Sequence, residues 1–412
     1  MILFKMALRN LLKQKRRSVF TAISMILGFV LCSVSMGMME GGFGNMIKAF
    51  TGAKTGHVQI HRKGYLENPG LYKNFTLDGN ITNTISQIEE VRNFSPRLVS
   101  GSLAFIDKKT TATQIKGIQP ESEAALTKLD KKVDRGRYFS QKKNSDSLFE
   151  IVITNSLAES LNADLGSEII LISQAADGSI ANDIFKVIGI LSKESDSLEN
   201  RTVFMSLTDA QTFLSMSGKV HEIAVELNSY KNSFTGSIKI AKAIHQNGIK
   251  NLSCEPWEII EEQFYNGMMA KKEGNPIMIF IIALIVAIGV LNTVLMSILD
   301  RMREYGVMKA MGATPWFIFN SIVLETLVLA FFSTVVAVGL GLLATWPLVV
   351  YGITYPEPVS IGGIYIKTLN SEFIPEAFYI PALVIAVSSF FASIYPAFKA
   401  ASADPVKSMR SY

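Results

Sequence analysis

Residues Asp300 to Pro315 read DRMREYGVMKAMGATP. They lie between two strongly apolar runs, Pro276–Leu299 and Trp316–Val350. Each run is long enough to cross a bilayer, so the polar stretch between them must sit at one membrane face. It carries Arg301, Arg303, Glu304 and Lys309, while Met302, Tyr305, Met308 and Met311 recur every third residue. That spacing predicts a short amphipathic helix pinned to the membrane surface, with one face free to meet a partner. It reads as the handle by which a cytoplasmic component moves a membrane protein.

Composition agrees with this. Of 412 residues, 49% are apolar and 18% charged, below the ~25% charge of a soluble domain. The apolar excess is clustered, which means membrane spans plus an ordinary polar domain. The net charge of +5 is modest, and no basic run interleaved with aromatics suggests nucleic acid. Cys32 falls in a span and Cys254 in the polar domain, so no disulfide joins them, and two cysteines cannot build a thiolate metal site.

Upstream, residues 1–17 read MILFKMALRNLLKQKRR. Phe4, Leu8, Leu11 and Leu12 share a helix face, with Lys5, Arg9 and Lys13 away from it. This predicts an interfacial helix attracted to anionic lipid, and Lys15, Arg16 and Arg17 mark the cytoplasmic edge. Ser18–Met39 is the first span. Its apolar core exceeds that of a signal peptide, and Met36-Gly37-Met38-Met39-Glu40 is a poor cleavage site, so it reads as an uncleaved anchor.

Residues 40–274 form a polar α+β domain with no span-length apolar run. Strands are expected at Gly56–His61, Ser102–Asp107, Thr113–Ile118, Glu150–Thr154, Ile169–Ser173, Phe185–Leu191, Arg201–Ser206 and Glu222–Leu227. Helices are expected at Ile85–Arg92, Ser156–Leu161, Asp209–Met216 and Ser237–Gln246. The ends near Gly41–Phe50 and Glu258–Lys272 read as helical stalks continuous with the spans.

Downstream, the second span is Pro276–Leu299 and the third lies at Leu324–Pro347, with Trp316–Val323 running along the inner surface or extending into the cytoplasm. Tyr351–Glu376 is an external loop, Ala377–Tyr395 the fourth span, and residues 396–412 a cytoplasmic tail. The first seventeen residues carry six Lys/Arg, the Asp300–Pro315 segment three, the tail three, and the external loop one, Lys367. The positive-inside rule then puts both termini in the cytoplasm and residues 40–274 outside.

No phosphate-binding loop occurs; Gly52-Ala53-Lys54-Thr55-Gly56 lacks the spacing, so ATP use must come from a separate protein. His57 and His61, four apart, lack further ligands and are expected as surface histidines; His221 and His245 are isolated. No catalytic constellation is visible. Glu325 is the sole carboxylate of the third apolar run and, with Asn292 of the second, marks a candidate intramembrane polar site. Structural anchoring at headgroups or by an Arg or Lys suits Glu325 better than a relay role, and helix-to-helix hydrogen bonding suits Asn292 and Thr293 better than ligand binding.

At this point the sequence resembles a known family. Arg303-Glu304-Tyr305-Gly306-Val307-Met308-Lys309-Ala310-Met311-Gly312-Ala313 is similar to the signature of FtsX-like permeases of the MacB/Lol type. Pro396-Ala397, Ala400-Ala401 and Asp404-Pro405-Val406 resemble the family's ending, and Ala7-Leu8-Arg9-Asn10-Leu11 with Lys15-Arg16-Arg17 its opening. Gly56–Pro69, GHVQIHRKGYLENP, resembles the lipoprotein-releasing branch. Leu161–Ser167 is similar to a turn of the family's outer domain, with Ser167 in place of the usual acidic residue.

The resemblance implies an integral membrane protein: an α-helical four-span bundle with a large α+β extracytoplasmic domain between spans 1 and 2. It implies a non-enzymatic permease subunit in the bacterial inner membrane. Its partners would be a cytoplasmic ATP-binding cassette ATPase dimer, a second permease copy or paralogue, membrane lipid, and a periplasmic lipoprotein carrier. ATP and magnesium would be bound by the ATPase, leaving this chain without a cofactor. Arg301, Arg303, Glu304, Gly306, Lys309 and Gly312 would form the ATPase-coupling segment. Lipoprotein extraction is the expected activity; export of a drug, peptide or lipid, or signalling to cell-wall hydrolases, are the alternatives.

Overall fold

A computed structural model describes residues 6–7, 9–10, 15–139, 149–195, 200–361 and 364–403. The residues Phe4, Leu8, Leu11 and Leu12 of the N-terminal stripe, and Asp404-Pro405-Val406 of the ending, lie outside the described residues. The chain divides into two compact units: Met1–Asn45 with Met268–Pro356 and Lys367–Tyr412, and Met46–Gly267 with Glu357–Ile366.

The first helix, α1, runs Lys15–Phe50. Strands β1 (Val58–Arg62) and β2 (Phe75–Thr76), helix α2 (Gly79–Ser86), and strands β3 (Val91–Ile106) and β4 (Lys109–Ile118) follow. Next come α3 (Pro120–Thr127), β5 (Val133–Gly136), β6 (Phe149–Ile153), α4 (Asn155–Leu161), β7 (Glu168–Gln174), β8 (Ile180–Leu191) and β9 (Thr202–Ser206). The polar region closes with α5 (Leu207–Phe213), β10 (Lys219–Val220), β11 (Glu222–Leu227), α6 (Ser233–Gln246), β12 (Leu252–Pro256), α7 (Trp257–Ile260) and α8 (Glu262–Glu273).

These strands form a ten-stranded mixed sheet in the order β12-β1-β11-β3-β4-β9-β6-β8-β5, with β7 bridging β3 and β8. The pairs β4/β9 and β6/β8 are parallel and the rest antiparallel. β7 shows why such segments are legible: Ile169, Leu171 and Ser173 point inward, while Glu168, Ile170 and Gln174 point out. One apolar core gathers Leu98, Ile115, Ile151, Leu157, Phe185 and Val203; another gathers Val58, Ile60, Ile85, Val225 and Ile244.

The same unit holds a buried charge cluster. Arg97 donates to Glu123, to Glu222 at 3.3 Å and to the Lys54 carbonyl at 2.6 Å. Lys54 belongs to a π-helical turn, Thr51–Thr55, and also pairs with Glu261 at 2.6 Å. Nearby, Phe50 stacks on Phe264 with centroids 4.1 Å apart.

In the other unit, helices α9 (Asn275–Asp300), α10 (Met302–Ala310), α11 (Pro315–Val350) and α12 (Glu376–Ser402) follow; strands β13 (Ile353–Ile361) and β14 (Ile364–Leu369) come between the last two in the chain, and their Glu357–Ile366 part is assigned to the sheet unit. Four helices are long and apolar enough to cross a membrane: those covering Ser18–Thr55, Glu262–Asp300, Pro315–Val350 and Glu376–Ser402. Met25, Phe29, Val286, Val290, Ala337 and Ile385 form their shared core. Small residues allow close approach. A Cβ on Gly41 of α1 would lie 2.1 Å from the Asn370 carbonyl oxygen. The chain there straps two helices: the Glu372 amide donates to the Gly37 carbonyl, and the Ser371 amide to the Leu348 carbonyl at the end of α11, both at 3.0 Å.

Several element boundaries differ from the sequence expectation. Helix α2 begins at Gly79 because the Asp78 side chain accepts from the Ile81 amide at 2.9 Å; residues 91–92, expected as helix, begin β3. The inner-surface segment Trp316–Val323 and the third span are one continuous helix, started by the Thr314 cap and Pro315. Helix α12 runs through Pro381 and Pro396 to Ser402, and the loop after α11 contains the β13–β14 hairpin.

Candidate coupling site

Helix α10 is short because its two ends are set locally. Arg301 stands just before its first turn, its carbonyl accepting from the Tyr305 amide at 3.1 Å, and Gly312 ends it in a left-handed conformation (φ +94°) that glycine adopts without steric cost. There the Ala313 amide donates to the Met308 carbonyl at 3.0 Å. The Thr314 hydroxyl then accepts from the Phe317 amide and starts α11.

The apolar face of α10 is satisfied by protein. Tyr305 is buried, Met302 and Met308 are half-buried, and all three pack with Ile298 of α9, Ile318 and Ile322 of α11, and Ala397 and Ala400 of α12. This corrects the expected surface-lying arrangement: the stripe packs on helix ends. Only Met311 of the stripe stays exposed.

The six residues expected in the coupling segment therefore divide. Arg303, Glu304 and Gly312 are exposed, together with Val307, Met311 and Trp316. Gly306 is buried. Lys309 turns back, donating to the Ala403 carbonyl at 2.7 Å beside the end of α12. Arg301 points inward: its Nη1 lies 3.2 and 3.1 Å from the two carboxylate oxygens of Glu325, and its Nε donates to Glu304 at 3.0 Å. The guanidinium also sits over the Tyr305 ring, 5.3 Å from its centroid. Asn10 donates to the same Glu325 carboxylate at 3.2 Å.

Glu325 thus has the Arg partner that anchoring demands. Asn292 is not brought to it: Asn292 is exposed, whereas its neighbour Thr293 bonds the Gly289 carbonyl. Sequence reasoning missed Asn10 and Tyr305 as members of this cluster. Tyr305 reads as one more apolar stripe residue, and Asn10 lies 315 positions from its partner.

The histidines also depart from expectation. His61 and His221 are fully buried and His57 half-buried; only His245 is exposed. Tyr65 stacks between His61 and His221, and the His221 Nδ1 accepts from the Val99 amide while its Nε2 meets the Leu71 carbonyl. Their role is in the core, beside the strands they serve. Among the described residues no group of three or more His, Cys, Asp or Glu could hold a metal ion. Both cysteines are free, Cys32 buried and Cys254 partly buried.

Comparison with known proteins matches this organisation. The family description "FtsX-like permease C-terminal" covers residues 276–405, and "MacB-like periplasmic core domain" covers residues 18–235. The chain is 22% identical to a macrolide export ATP-binding/permease protein MacB of Campylobacter jejuni, covering 98% of this chain and 61% of that protein. It is 19% identical to the lipoprotein-releasing system transmembrane protein LolC of Neisseria meningitidis, covering 98% of this chain and 97% of that one. A LolC of Xylella fastidiosa is 24% identical over 76% of this chain and 78% of its own length. The chain therefore spans under two thirds of the MacB relative. Four candidate spans, a mixed-sheet domain and two family matches make this a bacterial inner-membrane protein, and the chain belongs to the FtsX-like, MacB/Lol-type permease family.

Proposed function

We propose that this chain is the permease subunit of an ATP-binding cassette complex that works by mechanotransmission, extracting lipoproteins from the inner membrane for delivery to the outer membrane. The observation that carries the reading is the exposed edge of α10. Arg303, Glu304, Val307 and Met311 stand clear of protein on a helix whose opposite side is packed on the ends of three long apolar helices. A charged rim around an exposed Met and Val suits a protein partner, here a cytoplasmic ATPase. Both termini and α10 then lie in the cytoplasm, in keeping with the Lys/Arg distribution. The mixed-sheet unit lies outside and handles the substrate. A second permease completes the complex, either a copy of this chain or a paralogue. A soluble lipoprotein carrier receives the product.

Lipoprotein is favoured as substrate by the Gly56–Pro69 segment and by the LolC relatives. The MacB relatives keep macrolide export as the second reading. The test is reconstitution with the co-purifying ATPase in proteoliposomes loaded with a fluorescent triacylated lipoprotein. Release to a soluble carrier on ATP addition is expected. ATP turnover without release, together with a drop in macrolide resistance on deletion, would overturn lipoprotein in favour of export.

A further inference from the structure

Arg301 stands within the sequence pattern of the docking segment, yet its side chain is 11% exposed, against 67% for Glu304. Its guanidinium is committed three ways: to both Glu325 oxygens, to Glu304, and to the face of Tyr305. Glu325, 17% exposed, is held in turn by the Asn10 amide. The cluster joins three separate pieces of chain: the start of α10, the third turn of α11 and the N-terminal segment.

Beside it lies a cavity of about 40 Å³. Its walls include Arg301, Glu325 and Tyr305, and the hydroxyl-bearing Ser18, Thr21, Thr293, Ser297 and Thr326. That volume has room for one or more waters, since a single water needs ~10–15 Å³ of such space and several polar partners. The chemistry matters for motion. Parting a buried ion pair in an apolar bundle leaves two bare charges, which is strongly unfavourable. A hydroxyl-walled chamber with room for water beside the pair would give each charge somewhere to go.

We propose that Arg301 is a positioning residue: with Glu325 and Asn10 it forms a node that grips α10 to α11, and the hydroxyl-lined chamber lets that grip loosen when α10 is displaced. This rests on the docking reading of α10 but assigns Arg301 the opposite side of the helix. Arg303, Val307 and Met311 face the partner, and Arg301 ties the helix to the bundle behind them.

The test uses the full chain with its co-purifying ATPase in lipid nanodiscs, read by hydrogen exchange and by retention of the ATPase. R301Q and E325Q should each speed amide exchange in residues 302–310 by at least tenfold, while R303Q changes it less than twofold. The double variant R301Q/E325Q should be no faster than either single one. Both single variants should keep the ATPase bound, and M311E should release it. The proposal is overturned if exchange is unchanged, if the double variant shows the product of the single effects, or if R301Q sheds the ATPase as fully as M311E. If M311E keeps the ATPase while R301Q still loosens α10, the grip stands and the docking reading fails.

Discussion

Arg97 binds Glu123 through two parallel hydrogen bonds, Nε to Oε2 at 2.9 Å and Nη2 to Oε1 at 2.7 Å, with both side chains essentially inaccessible. The same guanidinium holds Glu222 and the Lys54 carbonyl. A planar fork with several fixed donors is what lets one residue tie β3, β11, α3 and the Thr51–Thr55 turn together. Removing it strands two carboxylates in the interior. Arg97→Met should cost about 3–5 kcal/mol of stability in the sheet unit, read as a lowered thermal midpoint of the full chain. Arg97→Met combined with Glu123→Leu should recover part of that loss. Equal midpoints for wild type and Arg97→Met would contradict this account.

Acid should weaken the sheet unit in two stages. Burial pushes the His61 imidazole below its ordinary value of 6.5, only partly countered by Glu222; His57 and His221 are lowered likewise by burial. As pH falls below 6.5 the unfolded chain takes up protons that the folded unit refuses, so stability falls. For Glu123 and Glu222 burial acts upward, but Arg97 and Lys116 outweigh it and hold both below the ordinary 4.5. Their contribution is intact above pH 4.5 and is lost only at lower pH. Denaturant melts from pH 8 to 3 should show both steps, and His61→Gln should shrink the first without moving the second.

At Gly41 the space is already filled. An added Cβ would meet the Asn370 carbonyl at 2.1 Å and the Ser371 backbone at 2.7 Å, where no flexible side chain can give way. Gly41→Val should destabilise the helical unit by about 1–3 kcal/mol or more. It should also expose residues 351–375 to protease. Unchanged protection of that segment would mean that the strap tolerates the intrusion.

Glu304 offers the reverse case. Its carboxylate is 67% exposed and pairs with Arg301 at the surface, and exposed pairs contribute little to folding. Glu304→Lys should leave expression and membrane insertion at wild-type level while cutting ATP-driven release at least tenfold. Normal release would remove Glu304 from the docking face.

Much of this architecture is legible in the residues, for specific reasons. Apolar runs need no partner to be recognised, so the long helices stand out. A short β-branched apolar run, as at Ile169–Ile172, declares a strand on its own. What escapes is whatever depends on a distant neighbour. The half of β3 from Val91 to Gly101 carries Arg97 and Pro96 in a sequence with no clean period. It is a strand because β11 pairs along Val91–Arg97 and β4 takes over from Arg97 onward. The histidines looked like surface residues because their polarity suggests water, but backbone groups and Tyr65 provide for them indoors. The segment Arg301–Gly312 stands out by its charges, yet that Arg301 turns inward is set by Glu325, a residue on another helix.

Met311, Gly312, Ala313 and Thr314 are all that separate α10 from α11. The Gly312 and Ala313 amides are both bonded back to α10, and the Thr314 hydroxyl is bonded forward to α11. No slack is left in which a push could dissipate. Helix α11 is 36 residues, and at 1.5 Å per residue it is a rod of ~54 Å. A rigid rod tilted by ~5° about one end sweeps its far tip through ~5 Å. A nudge of side-chain size delivered at one face of the bilayer would therefore re-emerge at the other as a displacement of the same order as the spacing between neighbouring β-strands.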